Sequence, residues 1–469
     1  MAWAAADGSL DFTTLRRAYA SGSLSPRDVV NAVYDRIAAR GDDHVWIHLV
    51  PREEALARCD AIEQHVSRDE PLWGLPCAIK DNIDVPGLPS TSGFPPARSI
   101  AAGTGQAVAR IIAAGAIVIG KTNMDQLAVG LVGVRSPYGV ARNPFNPAFI
   151  PGGSSSGSGV AVGAGLVSFA LGNDAAGSGR VPAAFNNIVG VKPTPGLVSN
   201  TSVVGGGTAK SLETISIFAL TVADGMSVLE LISGYDPDDL FSKREADNCC
   251  LDQAPLDTFF RFGIPRDSQL EFFGDTDAAG LYEQAVMRLE SLGGTAVEFD
   301  YTPFDKVQRM LYEGPFLAER KAVVDQVVNG HADELHPVTR AILDTAQDWT
   351  AVDVYRAIHE LADLKRQARR IFDDFDVALL PTTPTVYRTS DVLADPIRLI
   401  ARLGTYTNFV NLLEMCGTAV PSGFRSDGMP LGVTVLAQPF KDAIAAKIAN
   451  AAHRATGLPL GASSNAMPA

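Results

Sequence analysis

The chain has 469 residues, 46% of them hydrophobic and 20% charged, which is the composition of a folded globular protein and not of a disordered one. Its formal net charge of −14 argues against DNA or RNA as a partner, because nucleic-acid-binding proteins carry basic surfaces. The sequence contains no apolar run of the about 18 residues that cross a bilayer, and its first residues do not resemble a signal peptide. We therefore expect a cytoplasmic protein with no membrane partner.

Cysteine usage agrees with that expectation. There are five cysteines, namely Cys59, Cys77, Cys249, Cys250 and Cys416. Their number is odd, two of them are adjacent, and no spacing matches a zinc site, so we predict reduced thiols. The sequence offers no cluster that suggests a metal or a cofactor, and we expect neither.

Helical patterns dominate the N-terminal arm, residues 1–70. Within it, Ser25 followed by Pro26 is typical of the start of a helix. The pattern changes at residue 72, where LWGLPCAIK forms a short apolar run that ends in Lys80. This run predicts a buried strand.

Helices and short apolar strands alternate along the rest of the chain. This alternation predicts an α/β fold layered around one sheet. We expect one domain over residues 1–469, made of the arm, a Ser/Gly-rich core (72–220), an α/β portion (221–455) and a loose tail (456–469). A long helical stretch is predicted over about 305–330.

Two Gly/Ser-rich segments lie in the core, PGGSSSGSGVAVGAG at residues 151–165 and GNDAAGSGRVPAAF at residues 172–185. Such segments are usually loops or linkers, but a serine becomes a nucleophile when a base activates it. Histidine is the usual base, yet none of the seven histidines lies between positions 66 and 330. A buried, neutral lysine is the alternative. Lys80 suits this role, although Asp81 beside it would favour its charged form.

Three segments together resemble the amidase signature family: GLPCAIKDNIDVPGLPSTSG, PGGSSSGSGVAVGAG and DAAGSGRVPAAFNNIVGVKPT. The resemblance covers nearly the whole chain and is densest over residues 74–220. It implies a mixed or mostly parallel twisted sheet with helices on both faces, and a Ser-cisSer-Lys triad. Ser178 would be the nucleophile, Ser154 the bridging serine after a cis peptide bond, and Lys80 the base.

The mechanism that the resemblance implies is acyl transfer. Ser178 would attack an amide carbonyl while its proton passes through Ser154 to Lys80. Glycines beside the serines let backbone N–H groups approach a substrate oxygen closely. The oxyanion would face four consecutive N–H groups, those of Ala175, Ala176, Gly177 and Ser178. Asp174 is expected to shape this turn through hydrogen bonds and not to act as a base.

The segment LYEGPFLAER resembles its counterpart in the allophanate hydrolases of this family, where a tyrosine and an arginine hold the substrate carboxylate. The matching residues are Tyr312 and Arg320, eight positions apart and expected on one helix. Arginine is suited to bidentate capture of a carboxylate. The resemblance therefore implies hydrolysis of the terminal amide of allophanate, with release of ammonia. It also implies a homodimer and a partner enzyme in a urea or triazine nitrogen pathway.

Some positions differ from the residues that the family usually has. Val129, Val134 and Ala175 stand where it has threonine, and SNTSVVGGGTAKSLETIS lacks its usual proline and S-L-D-C run. Each change removes a small polar group near the expected pocket. Three alternatives therefore stay open: another hydrolase of a small anionic amide, the glutaminase subunit of a tRNA-dependent amidotransferase, or an amidase-like scaffold without activity.

Overall fold

The structure, a computed structural model, describes residues 8–101, 103–204, 207–252 and 259–468. The first seven residues of the predicted arm and the last residue of the predicted tail lie outside these ranges.

Eleven strands form one sheet in the described part of the chain, and two more form a separate pair. The strands are β1 (Trp46–Leu49), β2 (Pro76–Lys80), β3 (Pro89–Ser90), β4 (Ser99–Ile100), β5 (Ile117–Thr122), β6 (Phe169–Asn173), β7 (Val189–Lys192), β8 (Ile215–Ala219), β9 (Phe260–Pro265), β10 (Gly294–Phe299), β11 (Val377–Pro381), β12 (Cys416–Phe424) and β13 (Pro430–Ala437).

The order of strands in the large sheet is β1-β5-β2-β6-β8-β7-β12-β13-β11-β9-β10, and β3 pairs with β4. Strand β2 runs parallel to β5 and β6, and β9 runs parallel to β10 and β11. The other six pairings in this sheet of described residues are antiparallel. The predicted α/β fold is confirmed, and its sheet is mixed.

Sixteen α-helices surround the sheet in the described ranges. They are α1 (Phe12–Ser21), α2 (Pro26–Arg40), α3 (Arg52–His65), α4 (Gln106–Ala113), α5 (Ser156–Gly163), α6 (Val181–Phe185), α7 (Val222–Ile232), α8 (Thr276–Ser291), α9 (Thr302–Met310), α10 (Leu317–Val328), α11 (Pro337–Asp344), α12 (Ala351–Ile371), α13 (Thr389–Ala394), α14 (Arg398–Leu403), α15 (Phe409–Leu412) and α16 (Asp442–Thr456). Helices α6 and α16 both pack on β12 and β13, and α16 also contacts α7 and α8.

The N-terminal arm is not wholly helical, contrary to the prediction. Ser25 does cap α2, with its side chain accepting from the backbone of Asp28. Between α2 and α3, however, β1 pairs antiparallel with β5, with Leu49 opposite Gly120. The hydrogen bonds of this short segment are supplied by a strand far along the chain, which local periodicity cannot reveal.

The long helix predicted over about 305–330 is also wrong. Helix α9 ends at Met310 and α10 begins at Leu317. Gly314 and Pro315 lie between them, and proline has no N–H to continue a helical ladder. Tyr312 therefore lies in the connecting turn, whereas Arg320 lies in the first turn of α10.

The tail is packed and not loose. Leu460 is buried, and the side chain of Asn187 donates to the carbonyls of Pro459 and Gly461 at 2.8 and 2.9 Å. The backbone N–H of Ala462 adds a hydrogen bond to α5. The glycine, serine and proline content of this C-terminal segment predicted a loose tail, but hydrogen bonds to Asn187 and to the end of α5 fix it to the rest of the protein.

All five cysteines are free thiols in the structure. Cys59, Cys77 and Cys416 are buried among apolar side chains. Within the described ranges, no helix combines the length and the apolar character needed to cross a membrane.

Candidate active site

The ends of two parallel strands bring the predicted site residues together. Lys80 is the last residue of β2, and β6 runs beside it with Ile79 opposite Leu171. Carboxyl ends of neighbouring parallel strands meet at one edge of a sheet, where α/β proteins place their ligands. Ser178 lies in the turn that follows β6, and Ser154 lies just before α5.

A continuous line of polar atoms joins the three predicted catalytic residues. The Nζ of Lys80 lies 2.7 Å from Oγ of Ser154, which lies 2.9 Å from Oγ of Ser178. The peptide bond between Gly153 and Ser154 is cis, as the resemblance implies. Lys80 and Ser154 are fully buried, and only 4% of Ser178 is exposed. Ser178 thus stands at the accessible end of the line.

Burial lowers the pKa of Lys80 to about 7. Three carboxylates raise this pKa and so oppose burial, in the order Glu213, Asp125 and Asp174. The guanidinium of Arg320 has a smaller effect and lowers the pKa further. Asp81, whose influence the sequence left open, turns its Oδ2 to the backbone and hydroxyl of Thr91. The neutral amine that the chemistry needs is therefore accessible near neutral pH.

Two further polar residues contact the base or its partner, and sequence reasoning missed both. The Nζ of Lys80 donates to Oδ1 of Asn173, and Nδ2 of Asn173 donates to Oε1 of Glu213. Asn173 lies opposite Ile215 in the antiparallel pairing of β6 with β8, which places Glu213 just beyond that pair. No motif spacing signals this contact, because it depends on the register of two strands.

The turn after β6 is held by one buried carboxylate, as predicted for Asp174. Its oxygens accept from the N–H groups of Gly177 and Gly179 at 2.8 and 3.1 Å. The guanidinium of Arg180 forms two more bonds to it, at 2.9 and 3.0 Å. Although burial alone would raise the pKa of Asp174, the charge of Arg180 lowers it below its usual range. Asp174 therefore stays a carboxylate and orders the turn.

The predicted oxyanion hole is corrected at one position. The N–H of Gly177 donates to Asp174 and is not free for a substrate. No described residue accepts from the N–H groups of Ala175, Ala176 or Ser178. Three of the four predicted donors therefore keep an unpaired N–H, and the oxyanion hole stays a prediction for these three.

Close packing explains two of the glycines in these segments. A Cβ atom on Gly153 would overlap the carboxylate of Asp125. At Gly177, φ is +138° and a Cβ atom would lie 2.6 Å from Oγ1 of Thr407. Only glycine fits at these two positions without rearrangement. The Gly/Ser-rich segments therefore allow close packing against neighbouring residues and are not linkers.

Tyr312 and Arg320 lie beside each other although the helix between them is broken. The guanidinium carbon of Arg320 is 5.7 Å from the centre of the Tyr312 ring. Nη1 of Arg320 donates to Ala128 and Thr208. The hydroxyl of Tyr312 and Nε of Arg320 are buried with no partner in the described structure. No hydrogen bond joins this pair to Ser154 or Ser178.

A cavity of about 380 Å³ adjoins this region, and Tyr312 lies on its wall with Arg135 and Asn408. Asn408 follows Thr407, whose carbonyl accepts from Arg180 at 3.1 Å. The cavity wall itself does not include Ser154, Ser178 or Arg320. The size of the cavity fits a small molecule.

Three residues that differ from those usual in the family, Val129, Val134 and Ala175, are buried. Val129 packs with Leu317 of α10 in an apolar cluster, and Val134 and Ala175 belong to a second cluster. Each replaces a hydroxyl-bearing residue by one that fits apolar surroundings. None of the three contacts the Lys80 amine through a hydrogen bond.

The profile of the family described as Amidase matches residues 28–444. The chain belongs to this family and is an amidohydrolase. The matched region contains all three residues of the buried polar line.

Individual relatives refine the comparison. The chain is similar to the urea amidolyase of Saccharomyces cerevisiae, with 37% identity over 87% of this chain and 22% of that protein. It thus spans about a fifth of the urea amidolyases it matches. It is 30% identical to one subunit of the glutamyl-tRNA(Gln) amidotransferase of an Exiguobacterium species, over 93% of this chain and 95% of that one. Among solved structures, the allophanate hydrolase of Kluyveromyces lactis superposes with a TM-score of 0.88 at 33% identity, over 95% of this chain and 73% of that one.

Proposed function

We propose that this chain hydrolyses the terminal amide of allophanate through an acyl-enzyme, with Ser178 as nucleophile, Ser154 as bridge and Lys80 as base. The observation that carries the proposal is the unbroken line from Oγ of Ser178 through Oγ of Ser154 to Nζ of Lys80. A serine needs such a base within hydrogen-bond reach.

The line works in both directions because hydroxyl groups can either donate or accept. With Lys80 neutral, Ser154 donates to its lone pair and Ser178 donates to Ser154. Attack of Ser178 on the amide carbon then moves one proton along the line to Lys80. The oxyanion accepts from free N–H groups of the turn, and the proton returns to the departing ammonia. Water repeats the cycle on the acyl-enzyme.

The substrate assignment rests on the pairing of Tyr312 with Arg320. Both carry a buried polar atom without a partner in the described structure, and such atoms cost free energy unless a ligand binds them. A carboxylate satisfies a guanidinium and a phenol at once. The name of the allophanate hydrolase relative supports allophanate as the amide that brings this carboxylate.

The test is ammonia release from allophanate compared with malonamate, biuret and simple aliphatic amides. We expect preference for allophanate, and loss of its turnover in Arg320→Ala. Labelling of Ser178 by a fluorophosphonate probe should persist in this variant, which shows that the site is folded. Ser178→Ala and Lys80→Ala should abolish labelling. Turnover of uncharged amides alone would contradict the substrate assignment.

A glutaminase subunit of a tRNA-dependent amidotransferase is the second candidate. It is favoured by the match to the glutamyl-tRNA(Gln) amidotransferase chain over nearly the full length of both chains. Glutamine also carries a carboxylate that Arg320 would bind. Ammonia release from glutamine faster than from allophanate would favour this alternative.

We also propose a setting in urea breakdown, in keeping with the name of the urea amidolyase relatives. A partner enzyme would act on the carboxylated product that is left after allophanate loses ammonia. The homodimer stays a prediction.

A further inference from the structure

A buried carboxylate lies behind the base. Only 2% of Glu213 is exposed, and its Oε1 accepts from Asn173 Nδ2, while Asn173 Oδ1 accepts from Lys80. This orientation of the amide is the one that satisfies both neighbours, because a carboxylate only accepts and an amine N–H donates. Oε2 of Glu213 has no hydrogen-bond partner in the described structure. The polar line from Ser178 therefore continues past Lys80 to a fifth residue.

We infer that Glu213 acts through Asn173 as a positioning residue for the Lys80 base. The inference deepens the proposed function and rests on Lys80 being the base. A neutral amine has two N–H groups and one lone pair. An N–H bond to Asn173 Oδ1 fixes one N–H group and leaves the lone pair free to face Ser154, where the proton arrives.

The negative charge of Glu213 acts after the proton has reached Lys80. Lys80 then becomes an ammonium in a dry interior, and the carboxylate polarises the intervening amide so that Oδ1 binds that ammonium more strongly. The proton moves from Ser178 through Ser154 to Lys80 and back to the leaving group, so Glu213 neither gains nor loses one. Burial raises the pKa of Glu213, and Asn173, Arg320 and Lys80 oppose the rise.

Other charged groups also face Lys80 from neighbouring elements. They are Asp125 after β5, Asp174 after β6 and Arg320 on α10. The carboxylate of Asp125 accepts from the backbone N–H groups of residues 132, 133 and 135, and that of Asp174 forms an ion pair with Arg180. Glu213 differs from both, because its partner Asn173 itself contacts the amine.

The test is the pH dependence of the second-order rate at which a fluorophosphonate labels Ser178. In Glu213→Gln, which keeps size and an acceptor oxygen, the midpoint should move to lower pH because the ammonium is less stabilised. The plateau should fall about tenfold, less than the loss of the base itself. Asn173→Ala should shift the midpoint the same way, and the double variant should be no slower than Asn173→Ala.

Matched controls separate charge from structure. Glu230→Gln makes the same chemical change at an exposed position of α7 and should leave rate and midpoint unchanged. Glu213→Asp keeps the charge and should hold the midpoint closer to that of the native chain than Glu213→Gln does.

A native midpoint and plateau in Glu213→Gln would overturn the inference. If that variant does not fold, an unchanged midpoint in Asn173→Ala would overturn it equally. Labelling that survives Ser178→Ala would instead refute the proposed nucleophile, so the two failures are distinguishable.

Discussion

At the scale of one residue, Lys80 shows how burial can turn a lysine side chain into a base. A lysine is usually exposed, and its amine is then charged and without a lone pair. Here the side chain is fully buried at the end of β2, and desolvation is the largest influence on its pKa. The interior thus turns a common surface cation into a candidate base.

The lowered pKa of Lys80 predicts the pH dependence of catalysis. Because burial brings this pKa to about 7, the neutral form should predominate above that pH and the ammonium below it. The value of kcat/KM should therefore rise with pH through about 7 and then level off. Steady-state ammonia assays across this range measure it. A profile that is flat on both sides of that pH would contradict the role of Lys80.

Tyr312 gives a second prediction for a single atom. Tyr312→Phe removes a hydroxyl that has no partner in the described structure, so the free protein should not lose stability. If the hydroxyl binds the substrate carboxylate, KM for allophanate should rise about tenfold, with kcat little changed. An unchanged KM would remove Tyr312 from the binding site. Steady-state kinetics at a fixed pH decide the matter.

The turn over residues 174–180 is the element that orders the nucleophile. It depends on a buried ion pair between Asp174 and Arg180, both fully inaccessible to solvent. Removing one partner leaves the other charge buried without compensation. Asp174→Ala should therefore lower the free energy of unfolding by about 3–5 kcal/mol, as measured by urea denaturation.

The matched control for this prediction is Asp60→Ala. Asp60 pairs with Arg27, and both side chains are nearly half exposed, so little change is expected. Similar losses in the two variants would show that the buried pair does not hold the turn.

At the scale of the whole molecule, the C-terminal segment closes against the main body. Leu460→Ala should lower the free energy of unfolding by about 2–5 kcal/mol, because it opens a cavity at a side chain that is 2% exposed. Leu240→Ala is the matched control, because that leucine is 90% exposed and should have little effect. Equal effects would mean that the segment is not packed in solution.

The sequence by itself determined the class of fold, the family and the three residues of the polar line. Alternating helices and strands predicted the α/β layers, and the family resemblance carried Lys80, Ser154 and Ser178 by motif. These succeed because a motif records a local backbone shape and the side chain that it presents. Tyr312 and Arg320 were predicted by motif as a pair, and they lie side by side although the helix expected to join them is broken at Gly314 and Pro315.

Only the tertiary structure decided which distant groups surround the base. The register of β6 with β8 brings Asn173 and Glu213 to Lys80, and Asp174 accepts from the N–H of Gly177, which the sequence had assigned to the oxyanion hole. The position of β1 at the sheet edge and the packed tail were decided in the same way. The physical reason is that strand pairing and burial join segments far apart in sequence, whereas local patterns report only on neighbours along the chain.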